Sequence, residues 1–150
     1  MEEKFLKIYE RRFFKIIPQI ESFFNIVMTT STPLQVLEYT TGFFYKKHAD
    51  DSSEIIDKDH QTIGFKNVVS NRKLTSILFC SSHGVTQESS NCFLGGELVF
   101  NYLYDKNGNN ITIYPRAGDL LIFPSNPLFS HEVKHVLHGQ RITAVAWHDA

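Results

Sequence analysis

The sequence predicts a mostly-β domain, an antiparallel barrel or sandwich, entered through N-terminal helices. Two observations carry this. Over the first part of the chain Leu6, Tyr9, Phe13, Ile16, Ile20, Phe23 and Val27 recur at intervals of three or four, the spacing that gathers side chains on one helical face. After Ser31-Thr32-Pro33 that period ends, and short segments rich in β-branched and aromatic residues alternate with turn signals. A helical start followed by many short strands is the order expected of an antiparallel barrel or sandwich with helices on one side.

The helical start covers about residues 1–30. Its apolar stripe is expected to pack against a sheet, and Pro18, which has no amide hydrogen, predicts two helices or a kink. Strands are expected over 34–39, 74–80, 97–104, 110–114, 119–123, 131–136 and 141–148, within a β-region of about 34–148. The turns between them are Asn107-Gly108-Asn109, Ala117-Gly118-Asp119, Pro124-Ser125-Asn126-Pro127 and His138-Gly139. Two polar stretches, 51–72 and 81–92, interrupt the pattern and read as long loops, either disordered or functional. In the functional case both border the site and are more mobile than the strands.

The 150 residues suit one domain spanning 1–150. A formal net charge of -1 leaves no basic excess for phosphate contacts, so no nucleic-acid partner is expected. No stretch reaches the roughly 18 apolar residues of a membrane helix. Cys80 and Cys92 make no disulfide framework, and the opening Glu2-Glu3-Lys4 is unlike a secretory signal; the expectation is a reduced, cytoplasmic protein.

His48-Ala49-Asp50 places an imidazole and a carboxylate two residues apart, which puts them on one face of an extended backbone. With a second imidazole they form a two-His-one-carboxylate set suited to a divalent metal. Alone, His-x-Asp is a weak signal. Another grouping, His131, His135 and His138, has the spacing of a helical zinc site, but Val133, Val136 and Gly139-Gln140 suit a strand and hairpin better.

The surrounding residues add to this. Tyr39, Gly42, Tyr45, His48 and Asp50 form a Tyr-x-x-Gly-x-x-Tyr-x-x-His-x-Asp pattern. Arg72-Lys73-Leu74-Thr75, Gly95-Gly96-Glu97-Leu98, Pro115 to Phe123, His131-Glu132-Val133 and Gly139-Gln140-Arg141 follow in order. This series, covering about residues 34–148, resembles the prolyl-hydroxylase branch of the Fe(II)- and 2-oxoglutarate-dependent dioxygenases. The resemblance implies a double-stranded β-helix, a jelly-roll or cupin-like barrel. It implies iron held by His48, Asp50 and His131, three remaining positions for 2-oxoglutarate and O2, and possible use of L-ascorbate as reductant. It places Arg141 on the distal carboxylate of 2-oxoglutarate, for which a guanidinium fork is suited. Tyr39 and Thr75 are implied as further cosubstrate contacts, and Tyr45 and Arg72 as substrate contacts. Plain alternatives are core aromatics for the tyrosines, strand propensity for Thr75 and a surface arginine for Arg141. Gly95 and Gly96 allow either close approach to a ligand or a bulge. Trp147 reads as core.

Phe79 departs from the pattern. Related hydroxylases often carry a tyrosine there whose hydroxyl helps hold the cosubstrate, so another donor must serve. The activity implied is hydroxylation of a C–H bond with release of succinate and CO2, on a prolyl residue of a protein or peptide. The competing readings are a non-catalytic β-barrel binding module, which would lose a metal ligand or the basic residue, and an oxygenase acting on a free amino acid or other small molecule.

Overall fold

The computed structural model describes residues 2–84 and 91–150. Among the described residues one α-helix, α1 (Glu3–Phe24), precedes thirteen strands. The helix is continuous through Pro18, in place of the two helices the sequence predicts. Pro18 and Phe14, whose carbonyl the missing N–H would have met, both lie on the solvent side. Water can satisfy that carbonyl, so the break is tolerated. The buried stripe is Tyr9, Phe13, Ile16, Ile17 and Ile20, continued by Phe24, against Leu74, Leu120 and Ile122. Tyr9, Phe13, Ile16 and Ile20 are as predicted, while at the C-terminal end Phe24 takes the place of Phe23, which is 82% exposed. Asn25, in the left-handed region at φ 53, ends the helix, so Val27 lies beyond its periodicity.

Two four-stranded antiparallel sheets face each other. The first has the order β1 (Gln35–Tyr39), β13 (Arg141–Asp149), β5 (Arg72–Phe79) and β10 (Leu120–Pro124). The second has the order β2 (Tyr45–His48), β11 (His131–Val133), β8 (Leu98–Tyr104) and β9 (Asn110–Ile113). Ile77, Phe79, Leu98, Phe100, Phe123 and Val145 fill the space between them, contributed by both sheets. The chain crosses repeatedly from one sheet to the other, which is the double-stranded β-helix expected. α1 covers the outer face of the first sheet through the Leu74, Leu120 and Ile122 contacts.

The stretch 51–72 is not a loop: β3 (Ser52–Ile56) and β4 (Thr62–Asn67) pair as an antiparallel hairpin. Its polar sequence misleads because the hairpin buries no continuous face. Asp57 closes its turn by accepting from the backbone N–H of Asp59 and Gln61. Lys47 ties it to the second sheet, bonding Thr62 Oγ1 at 3.3 Å and Tyr102 OH at 3.1 Å. In the other polar stretch, β6 (Ser82–His83) pairs in parallel with β7 (Cys92–Gly95). Within it, 85–90 lie outside the described residues. The expected strand 131–136 is two: β11 ends at Val133, and β12 (Val136–Gly139) joins β7 in a third sheet.

Candidate metal centre and cosubstrate pocket

His48 and His131 are directly opposed in the β2–β11 register. Cross-strand neighbours on one face have Cβ atoms only about 5 Å apart. Here the imidazole centroids are 4.4 Å apart. Asp50 follows where the chain leaves β2. The N–H of the next residue, Asp51, donates to Ser125 O, and its carbonyl accepts from Val68 and Val69. That anchor holds Asp50 Oδ1 3.2 Å from His48 Nε2 and 3.7 Å from His131 Nε2. Among the described residues this is the one cluster of three His, Cys, Asp or Glu ligand atoms, all within 4.8 Å of one another. His135 stacks instead on Phe44 and does not join a zinc site with His131 and His138.

The ligand orientation is fixed from behind. His48 Nδ1 lies 2.9 Å from Lys46 O, and His131 Nδ1 lies 2.9 Å from Phe129 O. A carbonyl can only accept, so each Nδ1 carries the proton and each Nε2 presents its lone pair to the shared space. Burial by itself would raise the Asp50 carboxyl. His48 and His131, when protonated, and the Thr75 hydroxyl outweigh it and hold the carboxyl below its ordinary range. Burial lowers His131, so this imidazole stays neutral. A carboxylate and neutral imidazoles are the states a divalent metal requires.

The triad opens into a cavity of about 400 Å³ between the two sheets. Tyr39, Tyr45, Arg72, Thr75 and Arg141 all line it. Arg141 is 3% exposed. Its Nε donates to Gly96 O at 2.9 Å, and its guanidinium lies 5.6 Å from the Tyr39 and Phe79 rings. Burial lowers its pKa to about 10, which leaves it cationic at neutral pH. No carboxylate pairs with it among the described residues. A buried, unpaired charge costs several kcal/mol, so the cavity is built for an anion.

Two residues have other partners than expected. The Thr75 hydroxyl donates to Asp50 Oδ2 at 2.6 Å and lies 2.9 Å from Ser125 Oγ; it is occupied with the metal ligand. Arg72 Nη1 donates to Asp50 O at 2.9 Å, and its guanidinium stacks 4.5 Å from the Trp147 ring. Gly95 and Gly96, at φ 69 and 63, serve close approach between protein segments. A Cβ on Gly95 would overlap the His135 carbonyl, and one on Gly96 would lie 3.0 Å from Arg141 Cδ. Trp147 packs, partly buried, against the core between the sheets and also lines the cavity; Thr143 lines it too. Period-two alternation from Arg141 along one strand would have found both.

Iron(II) fits this donor set, two neutral imidazoles and one carboxylate on one side with the facing side open. A double-stranded β-helix bearing such a set beside a buried cation is a cupin-like domain with a candidate metal centre. The 2OG-Fe(II) oxygenase superfamily matches residues 34–149, and the chain belongs to it. No curated protein matches the chain.

Solved structures share the fold. A viral collagen prolyl hydroxylase from Paramecium bursaria Chlorella virus-1, in its 2-oxoglutarate complex, aligns with TM-score 0.67 at 17% identity over 99% of this chain and 74% of that one. A Pseudomonas putida prolyl-4-hydroxylase aligns with TM-score 0.59 at 21% identity, over 90% of this chain and 61% of that one. A Trichoplax adhaerens prolyl hydroxylase, bound to a hypoxia inducible factor peptide fragment, aligns with TM-score 0.55 at 22% identity over 82% and 46%. The chain thus spans less than two thirds of the length of the last two. Among the described residues no helix is long and apolar enough to cross a membrane.

Proposed function

We propose that the protein is an Fe(II)- and 2-oxoglutarate-dependent dioxygenase that hydroxylates a prolyl residue of a protein or peptide, with release of succinate and CO2. The observation that carries this is the pairing, in one cavity, of the His48–Asp50–His131 cluster with the buried, unpaired Arg141 cation. The iron supplies the redox chemistry that couples O2 to 2-oxoglutarate. The chain supplies the rest. His48, Asp50 and His131 hold the metal from one side. Arg141, across the cavity, neutralises the distal carboxylate. The β-sheet walls exclude bulk water from the space between. Ascorbate as reductant belongs to the same proposal.

The substrate side rests on the cavity mouth. Tyr45 is 47% exposed and its ring lies 4.3 Å from that of His48. Phe43 and Phe44 are exposed beside it, and Phe44 stacks on His135. An aromatic rim next to the metal ligands suits the apolar ring of a peptidyl proline. The peptide bound by the Trichoplax adhaerens relative supports the same reading. The test is to supply Fe(II), 2-oxoglutarate and O2 with proline-containing peptide pools, and to follow succinate together with the mass of the peptides. Succinate formation stimulated by a peptide that gains one oxygen atom at proline is the expected result. Stimulation only by free amino acids or other metabolites would move the substrate class to small molecules, and no turnover in any pool would point to a binding module.

A further inference from the structure

The charges of α1 are sorted around its axis. Its apolar stripe, from Tyr9 through Phe13 and Ile20 to Phe24, faces the first sheet. On the side turned away from the sheet, Lys4, Ile8, Arg11 and Lys15 follow one another at steps of three and four, so they share one stripe, and all four are exposed. Arg12 borders that stripe on one edge, in line with Phe5 and Phe23, from which it is two and three helical turns away. Phe5 is 40% exposed, Ile8 37% and Phe23 82%. The acidic residues of the helix, Glu3, Glu10 and Glu21, form a separate line at the same spacing on the other edge. Two of them are engaged within the protein: Glu3 pairs with Lys7 at 2.6 Å, and Glu21 accepts from the Met28 N–H at 2.9 Å. Among the described residues Lys4, Arg11, Arg12 and Lys15 have no carboxylate partner.

We propose that this side of α1 docks the protein on an anionic lipid surface, with the helix lying along it. Lys4, Arg11, Arg12 and Lys15 meet the headgroup charge, while Phe5, Ile8 and Phe23 enter the boundary between headgroups and acyl chains. The chain holds 15 Lys and Arg against 16 Asp and Glu. Four of those cations and none of the anions lie on this side of α1, which leaves the rest of the molecule at a net charge of -5. That separation turns α1 toward a negative surface and the acidic remainder away from it. A nucleic-acid duplex would meet the same cations, but it gives the exposed Phe and Ile side chains nothing to bury in. The contact is peripheral, since α1 is not apolar enough to cross a bilayer. It also leaves the cavity free, because α1 covers the outer face of the first sheet and the cavity lies between the two sheets. The inference is independent of the proposed activity.

The experiment is cosedimentation with phosphatidylcholine vesicles, with and without phosphatidylserine, at low and high salt. Wild type should sediment with the anionic vesicles only, and salt should release it. The triple variant Lys4→Gln, Arg11→Gln, Lys15→Gln should bind about a hundredfold more weakly, at roughly fivefold per cation. A second triple variant, Lys58→Gln, Lys66→Gln, Lys106→Gln, removes the same charge from exposed positions outside α1 and should bind as wild type does. Phe23→Ser should weaken binding several-fold without changing its salt dependence. All these positions are exposed, so the variants should keep the wild-type melting temperature. Wild-type protein that ignores anionic vesicles would overturn the proposal. Equal losses in the two triple variants would also overturn it, by assigning the binding to overall charge. Tighter binding to duplex DNA than to the vesicles would overturn it in favour of a nucleic acid.

Discussion

The Thr75 hydroxyl donates to Asp50 Oδ2 at 2.6 Å, so that Oδ1 is the oxygen left facing His48 and His131. Thr75 sits on β5, in the first sheet, while the two histidines sit on the second. The bond therefore ties the carboxylate that follows β2, on the histidines' own wall, to the opposite sheet. Removing an outer partner of this kind weakens metal binding about 10- to 100-fold. Thr75→Val should show that loss in an anaerobic Fe(II) titration, and Thr75→Ser should not. An unchanged affinity in Thr75→Val would mean that the Asp51 backbone anchor alone orients the carboxylate.

Arg141→Met keeps the apolar stem and deletes the charge. Leaving a buried carboxylate without its cation costs roughly 3 kcal/mol or more, so 2-oxoglutarate binding should fall by about two orders of magnitude. The metal titration should be unaffected, because no ligand atom of the triad bonds Arg141. In a thermal scan 2-oxoglutarate should stabilise the metal-loaded wild type and not the variant. A variant still stabilised by 2-oxoglutarate would remove Arg141 from the cosubstrate site.

Gly96→Ala tests the support beneath that arginine. The left-handed backbone at φ 63 disfavours a side chain by about 1–2 kcal/mol. The new Cβ would also crowd Arg141 Cδ at 3.0 Å and Val136 Cγ2 at 3.1 Å. The expected outcome is a lower melting temperature together with weaker 2-oxoglutarate binding at unchanged metal affinity. Destabilisation with normal cosubstrate affinity would show that the guanidinium does not depend on this contact.

His148 gives the ligand-free protein a pH-dependent stability. It is 2% exposed, held between Ser31 Oγ at 2.6 Å and Ser76 Oγ at 2.8 Å, and burial lowers its pKa from 6.5 to about 4. Between those values the unfolded chain binds the proton and the folded one does not. Stability from this group is therefore complete above about pH 6.5 and is lost as pH falls toward 4, by on the order of 3 kcal/mol. His131 is displaced in the same direction, so denaturant melts of wild type and His148→Gln must be compared. The variant should show the shallower decline between pH 7 and 4; parallel curves would assign the dependence to other groups.

The sequence by itself determined the class of fold and pointed, through the order of its motifs, to the candidate metal set. Alternation and turn residues mark each strand of the two main sheets except β2, because there burial and local backbone chemistry agree. His48 and Asp50 are readable as a pair because two residues of extended chain place them on one face. The same local rules misjudged the hairpin β3–β4, which buries no continuous face, and Pro18, whose break costs little on the solvent side of α1. Only the tertiary structure decided how distant strands meet. The β2–β11 register brings His131 opposite His48, and the β13–β5 register sets Thr143 opposite Phe79 and Trp147 opposite Thr75. Register is a long-range quantity, set by which faces are buried together. For that reason the pairing of Thr75 with Asp50, the backbone contact of Arg72 and the unpartnered hydroxyl of Thr143 became visible only once the sheets closed over the cavity.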